Sequence, residues 1–275
     1  MTKSEQVLFT EPINALDITA KDSGFPVQFK VSKRSDTKTT QITYEIPDSA
    51  QEDSAVTITL SPKGTLSIDV YSKKKRGFFG LFKLGELGNK KIKINIELPS
   101  NDLVSVSHVA ALGEFEWDGP NVSRDFSIVS ELGCASLLSP IHVETFNVAL
   151  SKGEFKATSV IANSVAVKVE MGELKGFYSG YKNLYLHASM GAVKVDLKPG
   201  VASETKIEAS MGEVVATVSG YEGKFLAEAS MGGVTVIAPG VMQTSNPCSG
   251  VVGDNQDSTL NVKVSMGGCK LNFVE

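Results

Sequence analysis

The histidines and cysteines are the residues of this 275-residue chain that most directly support catalysis or metal binding. The histidines occupy different positions of the repeat described below, and no H-E-x-x-H, G-x-S-x-G or P-loop pattern is present. The cysteines are odd in number and form no C-x-x-C pair, which argues against a disulfide framework or a zinc site. We interpret them as buried thiols, interpret His108 as a core residue, and expect no metal and no cofactor. These six residues are His108, His142, His187, Cys134, Cys248 and Cys269.

The carboxylates are too dispersed to predict an acid–base pair. Polysaccharide lyases and hydrolases on a β-helix need carboxylates clustered on one face, for calcium or for proton transfer. Asp118, Asp125 and Asp196 share no position in the repeat, and the outward glutamates alternate with lysines. The acidic segment 254–257 does not have the spacing of an EF-hand loop. We therefore predict a non-enzymatic protein, with a carbohydrate-active enzyme of the lyase or hydrolase type as the alternative.

Four tyrosines form a candidate glycan-binding site. Tyr181 and Tyr221 each follow a Ser-Gly pair at the same turn of the repeat, two coils apart. Two coils correspond to about 10 Å at the usual strand spacing, which is close to the length of a disaccharide. The alternative is that these rings pack over the edge of a coil. The candidate residues are Tyr178, Tyr181, Tyr185 and Tyr221.

One basic and aromatic segment is a candidate loop for binding an anionic membrane or a partner. Its cations flank large apolar side chains, and its glycines give the loop freedom to present them. The alternative is that the apolar side chains fold back and plug the open end of the predicted solenoid. The candidate residues are Lys73, Lys74, Lys75, Arg76, Phe78, Phe79, Leu81 and Phe82.

The element that must position these residues is a repeat of about twenty residues, marked by a glycine that usually follows a long apolar residue. Successive marker glycines are separated by 20, 20, 19, 19, 21, 20 and 35 residues. The last interval is one repeat plus an insertion, which we place near residues 243–258. Self-similarity at a fixed period is typical of solenoids. The marker glycines are Gly113, Gly133, Gly153, Gly172, Gly191, Gly212, Gly232 and Gly267.

Apolar residues recur three and five residues before each marker glycine, and two and four residues after it. Such alternation places one set of side chains on one face of a strand. Each coil is therefore predicted to be a strand, a tight bend at the glycine, a second strand and a looser turn. Stacked coils align their strands in parallel. The predicted fold class is all-β: a parallel, right-handed β-solenoid of about eight 20-residue coils.

The residue directly before the marker glycine is methionine in five coils. In-register stacking predicts one interior column of these side chains. We interpret the column as core rather than as a set of thioether ligands for a soft metal. The five residues are Met171, Met190, Met211, Met231 and Met266.

Residues 1–100 lack the clean period and are predicted to form a β cap or irregular first coils, with the solenoid repeat in residues 101–275. In the early coils, Val109, Val129 and Ala149 stand where later coils carry charged side chains. We expect this face to be covered by residues 1–100 or by a second copy in a homodimer. The strands expected in the N-terminal part are 27–31, 41–46, 55–60, 65–71 and 91–98.

Several features of the whole chain match a known pattern. They are the opening Thr10-Glu11-Pro12-Ile13, the segment Ile92–Pro99 that ends in Leu-Pro, the x-Gly-x-apolar coils, and a last coil at 262–273. With these features the chain resembles the bacterial putative-adhesin family of β-strand-repeat proteins, whose function is unknown. The marker is mostly Ser-Met-Gly here, where members of that family have Ser-Gly-Asp or similar. The resemblance implies a β-solenoid, and a fold alone does not fix a function.

Composition limits the partners. The net charge is −4, and arginine occurs only at positions 34, 76 and 124, so no nucleic-acid partner is expected. No apolar run has the length of a signal peptide or a membrane span. The chain as it stands is expected in the cytoplasm, or at the cell surface if it is a piece of a longer protein. We predict an adhesin-like β-solenoid that acts as a structural or binding surface for a partner protein, an envelope polymer or a membrane.

Overall fold

The computed structural model describes residues 2–34, 38–73, 91–239, 241–254 and 256–274. The chain divides into two compact units, Met1–Leu138 and Ser139–Glu275. Both consist almost entirely of β-strands, and the described residues contain one short helix, α1 (Asp48–Gln51). No helix within these residues is long and apolar enough to cross a membrane.

The first unit is a stack of parallel coils. Its strands are β1 (Lys3–Phe9), β2 (Ala15–Asp22), β3 (Val27–Arg34), β4 (Thr40–Ile46), β5 (Ser54–Leu60), β6 (Thr65–Ser72), β7 (Ile92–Pro99), β8 (Leu103–Asp118) and β9 (Val122–Leu137). In sequence, β2 and β3 form one coil, β6 and β7 form the next, and β8 and β9 each run through the bend as one long strand. In space, β2 lies between β6 and β8, and β3 lies between β7 and β8, all in parallel. The first coil of the sequence is therefore the second coil of the stack.

Antiparallel strands cover the end of this stack. β5 pairs with β6, β4 pairs with β7, and β1 pairs with β4, all in the antiparallel sense. These strands pair with backbone groups that the end of a parallel stack would otherwise leave exposed. They lie within residues 1–100, where the sequence predicted a β cap or irregular first coils. The five strands expected from the sequence correspond to β3–β7, whereas β1 and β2 were not predicted.

The second unit has the same parallel design. Its strands are β10 (Ile141–Lys152), β11 (Phe155–Met171), β12 (Leu174–Ser179), β13 (Asn183–Met190), β14 (Val193–Lys198), β15 (Glu204–Met211), β16 (Val214–Ser219), β17 (Gly223–Met231), β18 (Val234–Ala238), β19 (Val241–Gln243), β20 (Cys248–Val252), β21 (Ser258–Met266) and β22 (Cys269–Val274). From β12 onwards each coil has one strand before the marker glycine and one after it, and each half pairs with the same half of the next coil.

The last coil of the sequence is not the last coil of the stack. β21 pairs in parallel with both β15 and β17, and β22 pairs in parallel with both β16 and β18. The final coil of the sequence thus lies between two earlier coils of the stack. The insertion, predicted near residues 243–258, occupies 239–257 between β18 and β21. It supplies β19 and β20, which pair antiparallel with β18 and β17 and cover the outer coil.

A ladder of marker glycines lets the coils approach at the bend. A Cβ atom on Gly191 would lie 1.6 Å from the carbonyl oxygen of Gly172, and one on Gly212 would lie 1.7 Å from that of Gly191. Gly191 has φ 148° and Gly212 has φ 147°, a conformation that residues with a side chain rarely adopt. Neighbouring coils are joined here by hydrogen bonds such as Gly191 N–H to the Met211 carbonyl, 2.8 Å. The glycines therefore hold the coils in register at the bend.

Four apolar columns fill the interior as predicted. The residues three and five before the marker glycine, and two and four after it, are buried in every coil apart from the half-buried Gly176. The methionine column, by contrast, was predicted wrongly. Met190, Met211 and Met266 are 41–42% exposed and Met231 is 62% exposed. The reason is that the chain leaves the sheet at the glycine, so the residue before it projects from the corner of the coil.

The early outward face is also more open than predicted. Val129 is 42% exposed, Ala149 is exposed and Val109 is half-buried. The described residues of the segment 1–100 leave Val129 exposed, because β2 continues the sheet beside β8 and does not pack over it. The expectation of intramolecular cover is therefore wrong for the described part of that segment, and cover by a second copy stays a prediction.

Candidate binding surface

Three of the four candidate tyrosines are core residues. The side chains of Tyr178 and Tyr181 are completely buried, and that of Tyr221 is 4% exposed. The Tyr181 hydroxyl accepts a hydrogen bond from Thr205 Oγ1 at 3.3 Å, and the Tyr221 ring stacks on Phe273 with centroids 5.5 Å apart. A buried ring has no free face for a sugar, so the structure corrects the glycan-site prediction at these positions and supports the packing alternative.

Glycines explain why these rings turn inward. Gly176 leaves a gap in an inward column, and the Tyr178 ring fills it, 3.2 Å from where a Cβ would stand. Burial raises the pKa of the Tyr178 hydroxyl far above its ordinary value. Gly180 (φ 69°) and Gly220 (φ 58°) reverse the chain just before Tyr181 and Tyr221. The Ser-Gly pairs are thus turns that direct a ring into the core.

The fourth tyrosine lies at the centre of a polar cluster on the surface of the second unit. The half-buried Tyr185 donates a hydrogen bond from its hydroxyl to Glu208 Oε2 at 2.8 Å. Its ring lies 5.4 Å from Lys168 Nζ and 5.3 Å from Lys206 Nζ, so each neighbouring coil supplies one cation. The His187 ring stacks beside it, with centroids 6.2 Å apart. We call this cluster the Tyr185 patch: Lys168, Tyr185, His187, Lys206 and Glu208.

The parallel register brings the five side chains together. Lys168, His187 and Glu208 are aligned across β11, β13 and β15, and Tyr185 is aligned with Lys206 in the next coil. The inward neighbours on these strands, such as Leu186 and Ile207, are fully buried. Alternation therefore fixes the patch residues on the outer face. The same outward slots were visible in the sequence, although only Tyr185 was predicted as a site residue.

Charge in the patch is fixed at neutral pH. Lys206 Nζ lies 2.8 Å from Glu208 Oε1, and its hydrogen bond is the main reason that the pKa of Glu208 is lowered. Burial and then the bond to Glu208 raise the pKa of the Tyr185 hydroxyl to about 12. Tyr185 therefore stays a proton donor and Glu208 stays ionised. The patch holds two lysines against one glutamate, within a chain whose net charge is −4.

The remaining histidines and cysteines do not assemble a site. Among the described residues, no group of three or more His, Cys, Asp or Glu side chains is arranged to hold a metal ion. His108 is buried as predicted and stacks on Phe115 with centroids 4.4 Å apart, and burial lowers its pKa to about 3. Cys248 and Cys269 are buried as predicted, whereas Cys134 is exposed because it stands on the outward side of its strand.

The basic and aromatic loop is described only at its first residue. The Lys73 side chain donates a hydrogen bond to the carbonyl oxygen of Gln51 at 3.3 Å. Its backbone N–H donates one to the carbonyl oxygen of Asp53 at 2.7 Å. Lys74, Lys75, Arg76, Phe78, Phe79, Leu81 and Phe82 lie outside the described residues, so the membrane and plug interpretations both stay predictions.

Comparison with known proteins identifies the family. The family model described as Toastrack DUF4097 matches residues 13–261. The chain belongs to the Toastrack DUF4097 family. This match confirms the resemblance seen in the repeats. No curated protein matches this Toastrack chain.

Several solved structures are similar to this Toastrack protein. A candidate adhesin from Parabacteroides distasonis is 12% identical, with 100% of this chain and 97% of that chain covered and a TM-score of 0.45. A candidate adhesin from Bacteroides fragilis is 13% identical, with 98% and 97% covered and a TM-score of 0.44. A candidate lipid-binding protein from Parabacteroides distasonis is 14% identical, with 100% and 97% covered and a TM-score of 0.43.

Proposed function

We propose that this Toastrack protein is a non-enzymatic binding protein whose Tyr185 patch holds an anionic envelope polysaccharide. The observation that supports this proposal is the half-buried Tyr185 ring with one lysine from each neighbouring coil. The exposed part of the Tyr185 ring can contact the C–H groups of a sugar between the two lysines, and each lysine ammonium binds a carboxylate or phosphate as a point charge. Together they fit a sugar chain that carries acidic groups.

The scaffold suits an extended ligand. The strands that carry the patch are parallel and in register, so the outer slots recur at about 4.8 Å intervals along the stack. A ligand that is itself a repeating chain can cross several coils and gain from several weak contacts at once. The hydrogen bonds and ion pairs of Tyr185 and Glu208 also hold the patch before a ligand arrives. Preorganisation of this kind reduces the entropy lost on binding.

The test is an array of acidic and neutral glycans, probed with wild-type protein and three variants. Tyr185→Ala should abolish binding to the retained acidic glycan, and Lys206→Gln should weaken it. Tyr71→Ala is the matched control, because Tyr71 is 43% exposed on β6 of the other unit. Equal melting temperatures of the wild type and Tyr185→Ala would show that the substitution acts on binding and not on stability.

Three results would overturn the proposal. One is the absence of any acidic glycan ligand, and another is retention of that ligand by Tyr185→Ala. The third is formation of shortened or unsaturated sugar products in a turnover assay on the retained glycan, which would favour the enzyme alternative. Weaker binding at high salt is expected, because the contacts between lysine and acidic groups are exposed to solvent.

A further inference from the structure

Five methionines form one row along the corner of the second unit, and all of them except the half-buried Met171 are exposed. Strand pairing aligns Met171 with Met190, Met190 with Met211, Met211 with Met266, and Met266 with Met231. Because the last coil lies between two earlier ones, the spatial order differs from the order in the sequence. From one end to the other, the row is Met171, Met190, Met211, Met266 and Met231.

Packing does not require methionine at this corner. Lys152 occupies the same slot next to Met171, and its side chain is exposed. A slot that accepts a lysine has no need of an apolar side chain to complete the core. The chain contains seven methionines, and the only two outside the row are Met1 and Met242. Thioether sulfur is therefore concentrated at one exposed edge.

The spacing of the row fits a bridging metal ion. Neighbouring parallel strands lie about 4.8 Å apart. Two bonds of about 2.3 Å, the length of a bond between Zn²⁺ and a cysteine sulfur, would together span about 4.6 Å. Neighbouring thioethers can therefore bind one ion between them in a nearly linear arrangement. Methionine has three rotatable bonds, so each side chain can adjust to the remaining difference.

The backbone under the row is held firmly. The Gly172 N–H donates to the Met190 carbonyl at 2.9 Å, and the Gly267 N–H donates to the Met231 carbonyl at 2.8 Å. The glycine ladder prevents any coil from shifting without breaking these bonds. The thioether ligands thus project from fixed positions, and only their side chains need to be ordered when an ion binds.

We propose that the methionine row is a binding site for soft monovalent metal ions of the Cu(I) type, each held between thioethers of neighbouring coils. Neutral thioethers select soft ions such as Cu(I) over Zn²⁺, Ca²⁺ and Mg²⁺, which prefer imidazole, thiolate or oxygen ligands. The site is independent of the Tyr185 patch and of its glycan. An apolar partner that docks on the same row is the competing explanation, and the experiment distinguishes the two.

The test uses Ag(I) nitrate as a probe that does not change oxidation state, in chloride-free buffer. The protein carries ¹³C at the methionine methyl groups and the substitution Cys134→Ser, because the exposed Cys134 thiol would otherwise capture silver. The methyl signals of the five row residues should shift on titration. Those of Met1 and Met242 should not, although Met242 is 66% exposed. No shift, or equal shifts of all exposed methionines, would overturn the proposal.

Variants test the spatial order of the row. Met266→Leu keeps the size and apolar character of the side chain but removes the sulfur between Met211 and Met231. The Met231 shift should then disappear, and silver should bind about tenfold more weakly at that end. Met242→Leu is the matched control and should change nothing. Unchanged silver binding by the triple variant Met190→Leu, Met211→Leu, Met266→Leu would contradict the proposal and leave an apolar partner as the explanation for the row.

Discussion

Two adjacent glycines in the inserted last coil should respond oppositely to the same substitution. A Cβ atom on Gly267 would lie 1.7 Å from the Gly212 carbonyl oxygen, and Gly267 has φ 137°. A Cβ atom on Gly268 would have its nearest neighbour at 3.9 Å, which is an ordinary contact. We therefore expect Gly267→Ala to be strongly destabilising and Gly268→Ala to be tolerated.

The magnitude follows from what must move. The atom that the new methyl group would meet belongs to the backbone, so the two coils must separate at the bend. That separation breaks the hydrogen bonds from Gly212 N–H to the Met266 carbonyl, 2.9 Å, and from Val214 N–H to the Gly268 carbonyl, 3.0 Å. Two such bonds contribute about 1–3 kcal/mol, and the strained backbone adds about 1–3 kcal/mol. The free energy of unfolding should fall by about 2–6 kcal/mol.

The assay is thermal and urea unfolding followed by circular dichroism. In a chain of this size, the melting temperature of Gly267→Ala should fall by roughly 10 °C. Gly268→Ala should be neutral or stabilising by up to about 1 kcal/mol, because it only restricts the unfolded chain. Melting temperatures for the two variants within a degree or so of each other would refute the glycine ladder as the reason for the repeat's marker.

Three further predictions concern other parts of the chain. Because burial lowers the pKa of His108 from 6.5 to about 3, the unfolded chain takes up a proton that the folded chain does not as the pH falls below 6.5. The free energy of unfolding should therefore drop by about 2 kcal/mol between pH 7 and pH 5. In urea titrations at the two pH values, His108→Phe should remove that drop. A variant whose free energy of unfolding falls as much as that of the wild type would contradict this. A thiol reagent should modify only Cys134 in the native protein, and Cys248 and Cys269 only after unfolding; rapid labelling of all three would show that the insertion does not cover the outer coil. Deletion of residues 258–275 should unfold the second unit, because β15, β16, β17 and β18 each lose a strand partner. A truncated protein with the melting temperature of the full chain would contradict the inserted position of the last coil.

The interior of the solenoid could be predicted from the sequence because alternation and register act together. Leu186, Ile207 and Val262 occupy one slot in three coils, and a single parallel stack buries all of them. The methionine row shows the limit of that reasoning. Met211 is apolar and lies two residues after the inward Ala209, so alternation predicts that it is buried. The bend at Gly212 instead carries its side chain out of the sheet.

The order of the coils could not be predicted, because every register aligns methionine with methionine and glycine with glycine. Met266 pairs equally well with Met211 and Met231, and nothing in the local sequence distinguishes an end position from an inserted one. The insertion 239–257 carries the only signal. It is long enough for the chain to travel past the outer coil and return between two coils.

The candidate site was predicted in part. Alternation correctly keeps Tyr185 at the surface, since it lies between the inward residues Leu184 and Leu186 on β13. The burial of Tyr181 and Tyr221 depends on the direction of the turns at Gly180 and Gly220, which a sequence pattern of turn residues does not specify. The cations beside Tyr185 come from two other coils, so they become neighbours only once the register is known.

The most direct test of the binding proposal is a titration of ring-labelled tyrosines with the retained acidic glycan, followed by NMR. The chain has six tyrosines, which gives a separate signal for Tyr185 and for the buried rings Tyr178, Tyr181 and Tyr221. We expect the Tyr185 ring signals to shift with saturation while those of the exposed Tyr71 stay in place. Saturable shifts at Tyr71 with no change at Tyr185 would contradict it.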